Sequence, residues 1–162
     1  MTATVSARTL LAHPAGWIAT GFGTGLSPRA PGTAGSLAAL LPWWFLLRGM
    51  PPGLYLACLL AAFAIGVWAA DWAIHRSGIN DPGFVVWDEF IGQWLALFLL
   101  PVGWPWMVAA FVLFRLFDIW KPWPVRWADR ALHGGVGAML DDVLAGAYAF
   151  LVLQAAAQLL PR

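Results

Sequence analysis

The sequence predicts an all-α fold: a polytopic membrane helical bundle with about five membrane-inserted helices, some of them short or re-entrant. Three observations carry that expectation. Apolar residues make up 61% of the 162-residue chain and charged residues only 10%, whereas a soluble domain carries about 25% charge. Apolar runs recur along the chain between turn signals. Twelve tryptophans suit the membrane–water interface, where the indole ring is favoured. A mean hydropathy of +0.73 agrees, because a surface so poor in charge needs lipid as its solvent. The length suits one domain over residues 1–162.

The first stretch, Met1 to Ala12, holds one charge, Arg8, and lacks the long apolar stretch of a secretory signal. Insertion is therefore expected from later segments. Ala34–Leu47 is the first apolar run, interrupted by Pro42. Leu54–Ala70 follows the turn Met50-Pro51-Pro52-Gly53. Phe90–Leu100 is the third run and ends at the turn Pro101-Val102-Gly103. Trp104–Phe114 is the fourth and Val143–Leu160 the last. A crossing needs roughly 20 residues, so the first, third and fourth runs are expected to be tilted, extended by their flanks, or only partly inserted.

Three connections are polar: Gly21–Gly35, Asp71–Glu89 and Arg115–Asp142. If runs one and two form one hairpin, and three and four another, these connections share one side. Arg29, Arg76, Arg115, Lys121, Arg126 and Arg130 then lie there with Arg8, and only Arg48 and Arg162 lie opposite. Basic residues favour the cytoplasmic face, which makes the polar side cytoplasmic. The net charge of +1 provides no field to recruit nucleic acid. The single cysteine, Cys58, lies in the second apolar run and cannot form an internal disulfide.

The chain has eight acidic residues: Asp71, Asp81, Asp88, Glu89, Asp118, Asp129, Asp141 and Asp142. All fall in polar connections or at their helix borders. Asp88-Glu89 and Asp141-Asp142 form two adjacent pairs, each where a polar segment enters an apolar helix. Carboxylates next to lipid are expensive and point to function. Two converging pairs repel unless a cation intervenes, and hard oxygen ligands suit Mg²⁺, Mn²⁺ or Ca²⁺. Helix capping is the plainer alternative. Arg115 and Asp118 share a helix face with Lys121 a turn on, before Pro122 ends or bends the helix. They form either an ion pair beside an interfacial lysine or a phosphate-binding group. Gly21-Phe22-Gly23-Thr24-Gly25 and Ala30–Ser36 suggest an anion-binding turn with Thr33 and Ser36 as hydroxyl donors, or a plain Gly/Pro loop before a helix. His133-Gly134-Gly135-Val136-Gly137 reads as a flexible loop leading to Asp141, with His133 interfacial.

Taken in order, these blocks resemble the phosphatidylglycerophosphatase A family. They are Gly21–Pro28 with Ala30-Pro31-Gly32-Thr33; Asp81 with Trp87-Asp88-Glu89-Phe90-Ile91-Gly92; Phe114–Pro122; and Gly134–Asp142 with Ala145-Gly146. The resemblance implies a helical bacterial inner-membrane enzyme that removes the terminal phosphate of phosphatidylglycerophosphate with Mg²⁺, leaving phosphatidylglycerol. It implies Asp88, Glu89, Asp141 and Asp142 as metal and catalytic residues. Asp118 and Lys121 join them as catalytic candidates, and Thr33, Ser36, Arg115 and Lys121 as substrate-binding candidates. Asp81 also matches a family position. The implied partners are that lipid and the membrane itself.

Other classes fit less well. A phosphatidyltransferase needs Asp-Gly-x-x-Ala-Arg, and a histidine-dependent lipid phosphatase needs Ser-Gly-His; neither occurs. A haloacid-type phosphatase needs Asp-x-Asp, also absent, and Cys58 has no basic loop for thiol chemistry. A small transporter or channel would line a path through the bilayer with its acids, whereas here they avoid the centres of the apolar runs.

Overall fold

A computed structural model describes residues 6–159; Leu160, the last residue of the fifth run, and Arg162, expected opposite the polar side, lie outside the described residues. Every regular element among the described residues is helical. Short helices α1 (Ala7–Leu11) and α2 (Pro14–Ala19) lead into a 3-10 turn at Thr24–Leu26. Helix α3 covers Pro31–Pro42 and continues as a π turn over Trp43–Leu47. Pro42 therefore does not cut the first apolar run; the helix widens there. Helix α4 covers Pro52–Ser77 and stops at Gly78, whose left-handed φ of 70° suits glycine. Then follow α5 (Trp87–Ala96), α6 (Trp104–Trp120), α7 (Val125–Ala131) and α8 (Gly134–Leu159).

Each of the five apolar runs lies on a helix, but their lengths differ. Among the described residues, α4 and α8, at 26 residues each, are the two helices long and apolar enough to cross a membrane. Helices α3, α5 and α6 have 12, 10 and 17 residues. At 1.5 Å rise per residue α5 reaches ~15 Å, about half of a hydrocarbon core. Of the five helices that carry the apolar runs, two have crossing length and three are shorter; the expected count of about five inserted helices is met by length in two. Helix α4 turns Leu54, Leu56, Leu60, Ile65 and Trp68 outward, a continuous apolar surface that water solvates poorly.

Helix α8 is the axis of the fold and packs against α4, α5, α6 and α7; α3 covers α5 from the other side. Close approach of α5 and α8 depends on Gly92 and Gly146. A Cβ on Gly146 would lie 3.0 Å from the Gly92 Cα, and one on Gly92 would lie 2.6 Å from the Asp142 carbonyl oxygen. Small residues at such crossings let two backbones touch. Indole and phenol groups then pin α5 in place. Trp87 Nε1 donates to the Ala62 carbonyl at 2.9 Å, Trp94 Nε1 to Ala39 at 2.9 Å, and the Tyr55 hydroxyl to Trp94 at 2.6 Å. Each bond satisfies a polar atom that burial would otherwise penalise.

The three polar connections meet at one end of the bundle. Gly25 sits against the Phe84 backbone and Gly32 against the Glu89 carboxylate, while residues from Asn80 to Asp142 line one cavity there. The other end gathers Trp43, Arg48, Met50, Tyr55 and Leu97 to Leu100. The charged residue described there, Arg48, lies 3.9 Å from the ring centre of Trp44.

Candidate active site

Three helices bring the acids together. Asp88 and Glu89 occupy the first turn of α5, where the helix dipole favours negative charge. Asp118 stands in the last turn of α6, and Lys121 caps it. Asp141 and Asp142 come from α8. They do not stand at its border, as the sequence suggested, because α8 begins at Gly134, about two turns earlier. Capping therefore cannot explain this pair. The segment Gly134–Gly137, expected as a flexible loop, is the first turn of α8. It is glycine-rich for packing: a Cβ on Gly135 would lie 2.9 Å from the Asp71 carboxyl carbon. The capping role falls instead to Asp71, whose Oδ1 accepts from the Gly135 amide at 2.5 Å.

The cavity at this end holds about 380 Å³ and is walled by Asp81, Asp88, Glu89, Asp118, Lys121, Asp129, Asp141 and Asp142, with Asn80 and His133 at its margin. Asp142 is only 4% exposed. One oxygen each from Asp88, Glu89 and Asp142 lie within 4.8 Å of one another, and so do oxygens from Asp118, Asp141 and Asp142. Asp142 thus belongs to both clusters. Among the described residues two cations pair with four of the carboxylates, Glu89, Asp118, Asp129 and Asp141, and neither pairs with Asp88 or Asp142. Arg115 Nη1 lies 2.7 Å from Asp118 Oδ2 and 3.7 Å from Glu89 Oε1. Lys121 Nζ lies 2.8 Å from Asp141 Oδ2 and also contacts Asp129 Oδ1. Glu89 Oε2 is buried and has no hydrogen-bond partner among the described residues. Buried carboxylates in this excess, with an orphan oxygen among them, form a hard-oxygen donor set that fits a divalent cation.

Lys121 is held by its backbone. Pro122 disfavours an ordinary helical conformation at the preceding residue, and Lys121 adopts a left-handed φ of 48°. That turn ends α6 and brings α7 back beside the cavity. Burial pulls the Lys121 pKa down, but the hydrogen bonds and charge of Asp129 and Asp141 outweigh it and hold the ammonium above the ordinary lysine value.

The candidate substrate-binding residues divide. Lys121 lines the cavity. Arg115 does not; it stands behind Glu89 and Asp118 and orients them. Thr33 is not among the lining residues, and Ser36 is fully buried with its Oγ donating to the Gly32 carbonyl at 2.8 Å. The Gly21–Gly25 turn spends its amides on itself, Gly21 on Ile18 and both Gly23 and Gly25 on the Thr20 carbonyl. It packs on Phe84, Val86 and Phe90 instead of facing an anion. The contribution of this segment is Gly32, whose missing side chain leaves room for Glu89 and Arg115. Asp129 was not singled out by the sequence. Its signal was its place in the acid-rich Arg115–Asp142 connection, but nothing in an eight-residue spacing reveals that the chain doubles back to Lys121.

A family model described as Phosphatidylglycerophosphatase A matches residues 17–157, which include every element that walls the cavity. The chain belongs to the phosphatidylglycerophosphatase A family. It is 48% identical over 140 residues to Phosphatidylglycerophosphatase A of Escherichia coli K12, covering 86% of this chain and 81% of the relative. It is 42% identical over 144 residues to Phosphatidylglycerophosphatase A of Haemophilus influenzae, covering 88% of each. A Bacteroides thetaiotaomicron relative, provisionally named a phosphatidylinositol-3-phosphatase, is 45% identical over 146 residues, covering 86% of this chain and 91% of the relative. No solved structure matches. Membership in the phosphatidylglycerophosphatase A family makes the protein a phosphatase and its acidic cavity the candidate catalytic centre.

Proposed function

We propose that this protein hydrolyses the terminal phosphomonoester of phosphatidylglycerophosphate to phosphatidylglycerol and phosphate, at a Mg²⁺ centre in the acidic cavity. The observation that carries this reading is the pair of carboxylate clusters sharing Asp142 in a chain of this family. Asp88, Glu89, Asp141 and Asp142 would hold the metal, with Asp118 beside them. Bound Mg²⁺ supplies charge neutralisation at the phosphate oxygens and a lowered pKa for water.

The residues of the chain do the rest. Phosphoryl transfer needs chiefly positioning and charge compensation. Lys121, at the mouth between Asp129 and Asp141, offers an ammonium to the phosphate oxygens. Water forms the new bond to phosphorus while the bond to the glycerol oxygen breaks. A cavity carboxylate takes the proton lost by water and passes it to the glycerol oxygen, which leaves as a hydroxyl while phosphorus keeps the water oxygen. Arg115 keeps Glu89 and Asp118 in place throughout.

The same reading sets the protein in the bacterial cytoplasmic membrane. Helices α4 and α8 cross, α3, α5 and α6 are partly inserted, and the cavity faces the cytoplasm. Its support is the bias of basic residues towards the cavity end and the outward apolar surface of α4.

The test is phosphate release by the purified full chain in detergent, with and without Mg²⁺. Phosphatidylglycerophosphate, phosphatidylinositol 3-phosphate and phosphatidic acid are compared. Mg²⁺-dependent release, fastest from the first, is expected. No release from it in either condition rejects the reading, and equal release without Mg²⁺ after chelation rejects the metal.

A further inference from the structure

Beside the acidic cavity lies a second, larger hollow of about 690 Å³, walled by Trp120, Trp123, Arg126, Trp127 and Arg130. Lys121 lines both hollows. We propose that this groove binds the lipid-side phosphodiester of the substrate, so that Arg126 and Arg130 hold the diester while the acidic cavity holds the monoester. This rests on the phosphatase reading above.

The first argument is charge. A headgroup of this kind carries a monoester of about two negative charges and, across a short glycerol, a diester of one more. The acidic cavity can take the monoester only with a cation. Lys121, shared by the two hollows, is already paired with Asp129 and Asp141, so a diester beside it needs a cation of its own. Arg126 and Arg130 lie one helical turn apart on α7, and both are exposed. Among the described residues neither forms an ion pair, and Arg126 has only a long hydrogen bond of 3.5 Å, to the Trp120 carbonyl. Guanidinium forks match phosphate oxygens in geometry and charge.

The second argument is the aromatic wall. Trp120, Trp123 and Trp127 are 62%, 78% and 53% exposed. Three indoles so open around two arginines suit the glycerol and carbonyl region of a lipid, apolar on one side and wet on the other. The groove is also built rather than incidental: the Tyr148 hydroxyl of α8 donates to the Trp123 carbonyl at 2.7 Å and ties the turn to the bundle axis. Continuity through Lys121 then gives one path, with acyl chains leaving along the tryptophans and the headgroup pointing inward.

The full chain in detergent is compared with the double variant Arg126→Gln, Arg130→Gln. Binding of dihexanoylphosphatidylglycerol, which has the diester and no monoester, is titrated against dihexanoylglycerol, which has neither. The variant is expected to bind the phosphatidylglycerol about tenfold more weakly and the neutral lipid unchanged. KM for phosphatidylglycerophosphate should rise similarly, with kcat within about twofold. Unchanged diester binding overturns the proposal. So does an equal loss for both lipids, which would mark an apolar surface, or an equal loss of turnover on phosphatidic acid in anionic vesicles, which would mark a membrane-anchoring patch. If the double variant melts below the parent, Arg130→Gln alone is read the same way. Failure of the parent to release phosphate defeats the phosphatase reading, whereas the diester titration tests the groove by itself.

Discussion

Gly146 of α8 lies directly on the backbone of Gly92 of α5, with room for no Cβ between them. This contact sets how near Asp88 and Glu89 come to Asp142, because Gly92 follows the acidic pair by one turn and Gly146 follows Asp142 by one turn. Gly146→Ala should push the two helices apart and cost about 1–3 kcal/mol, as overpacking does. Thermal unfolding in detergent measures the loss, and phosphate release should fall with it. A variant as stable and active as the parent would show that the helices do not depend on this contact.

Asp142 serves both carboxylate clusters, whereas Asp88 serves one. Asp142→Asn should therefore lower kcat more than Asp88→Asn, by about 100-fold or more. Glu89→Gln and Asp141→Asn should each abolish release while leaving the melting temperature near the parent's. Near-normal turnover in those two would overturn the metal assignment.

Arg115 touches Glu89 and Asp118 and not the cavity. It acts through them as a positioning residue. Arg115→Gln should raise the Mg²⁺ concentration for half-maximal activity about 10- to 100-fold, and excess Mg²⁺ should restore much of kcat. A loss of kcat that no Mg²⁺ concentration restores would instead place Arg115 on the substrate.

Asp71 is the acid whose role is structural. Its carboxylate accepts from the Gly135 amide at the start of α8. Asp71→Ala should cost about 0.5–2 kcal/mol of stability, as loss of a helix cap does, with KM and kcat within about twofold at a temperature where the variant is folded. Loss of turnover without loss of stability would assign Asp71 to the chemistry.

Much of this protein was legible in the sequence. The helical class followed from five apolar runs, and the acidic pairs were visible because the chain has so few acids to distribute. Burial cost makes a carboxylate beside an apolar run conspicuous without any coordinates. The convergence of the three polar connections followed from pairing the runs into hairpins.

Other features required the tertiary structure. Gly134–Gly137 looks like a loop until α4 is seen to press against it and to cap it from Asp71. Thr33 and Ser36 read equally as phosphate donors or as part of a plain loop until the structure turns Ser36 inward, leaves both outside the cavity lining and sets Gly32 against Glu89. Asp129 meets Lys121 because a left-handed turn before Pro122 reverses the chain. Composition and periodicity report which side chains can be buried. Which of them touch depends on where two backbones can approach, and that is decided by packing at residues such as Gly92 and Gly146, far apart in the sequence.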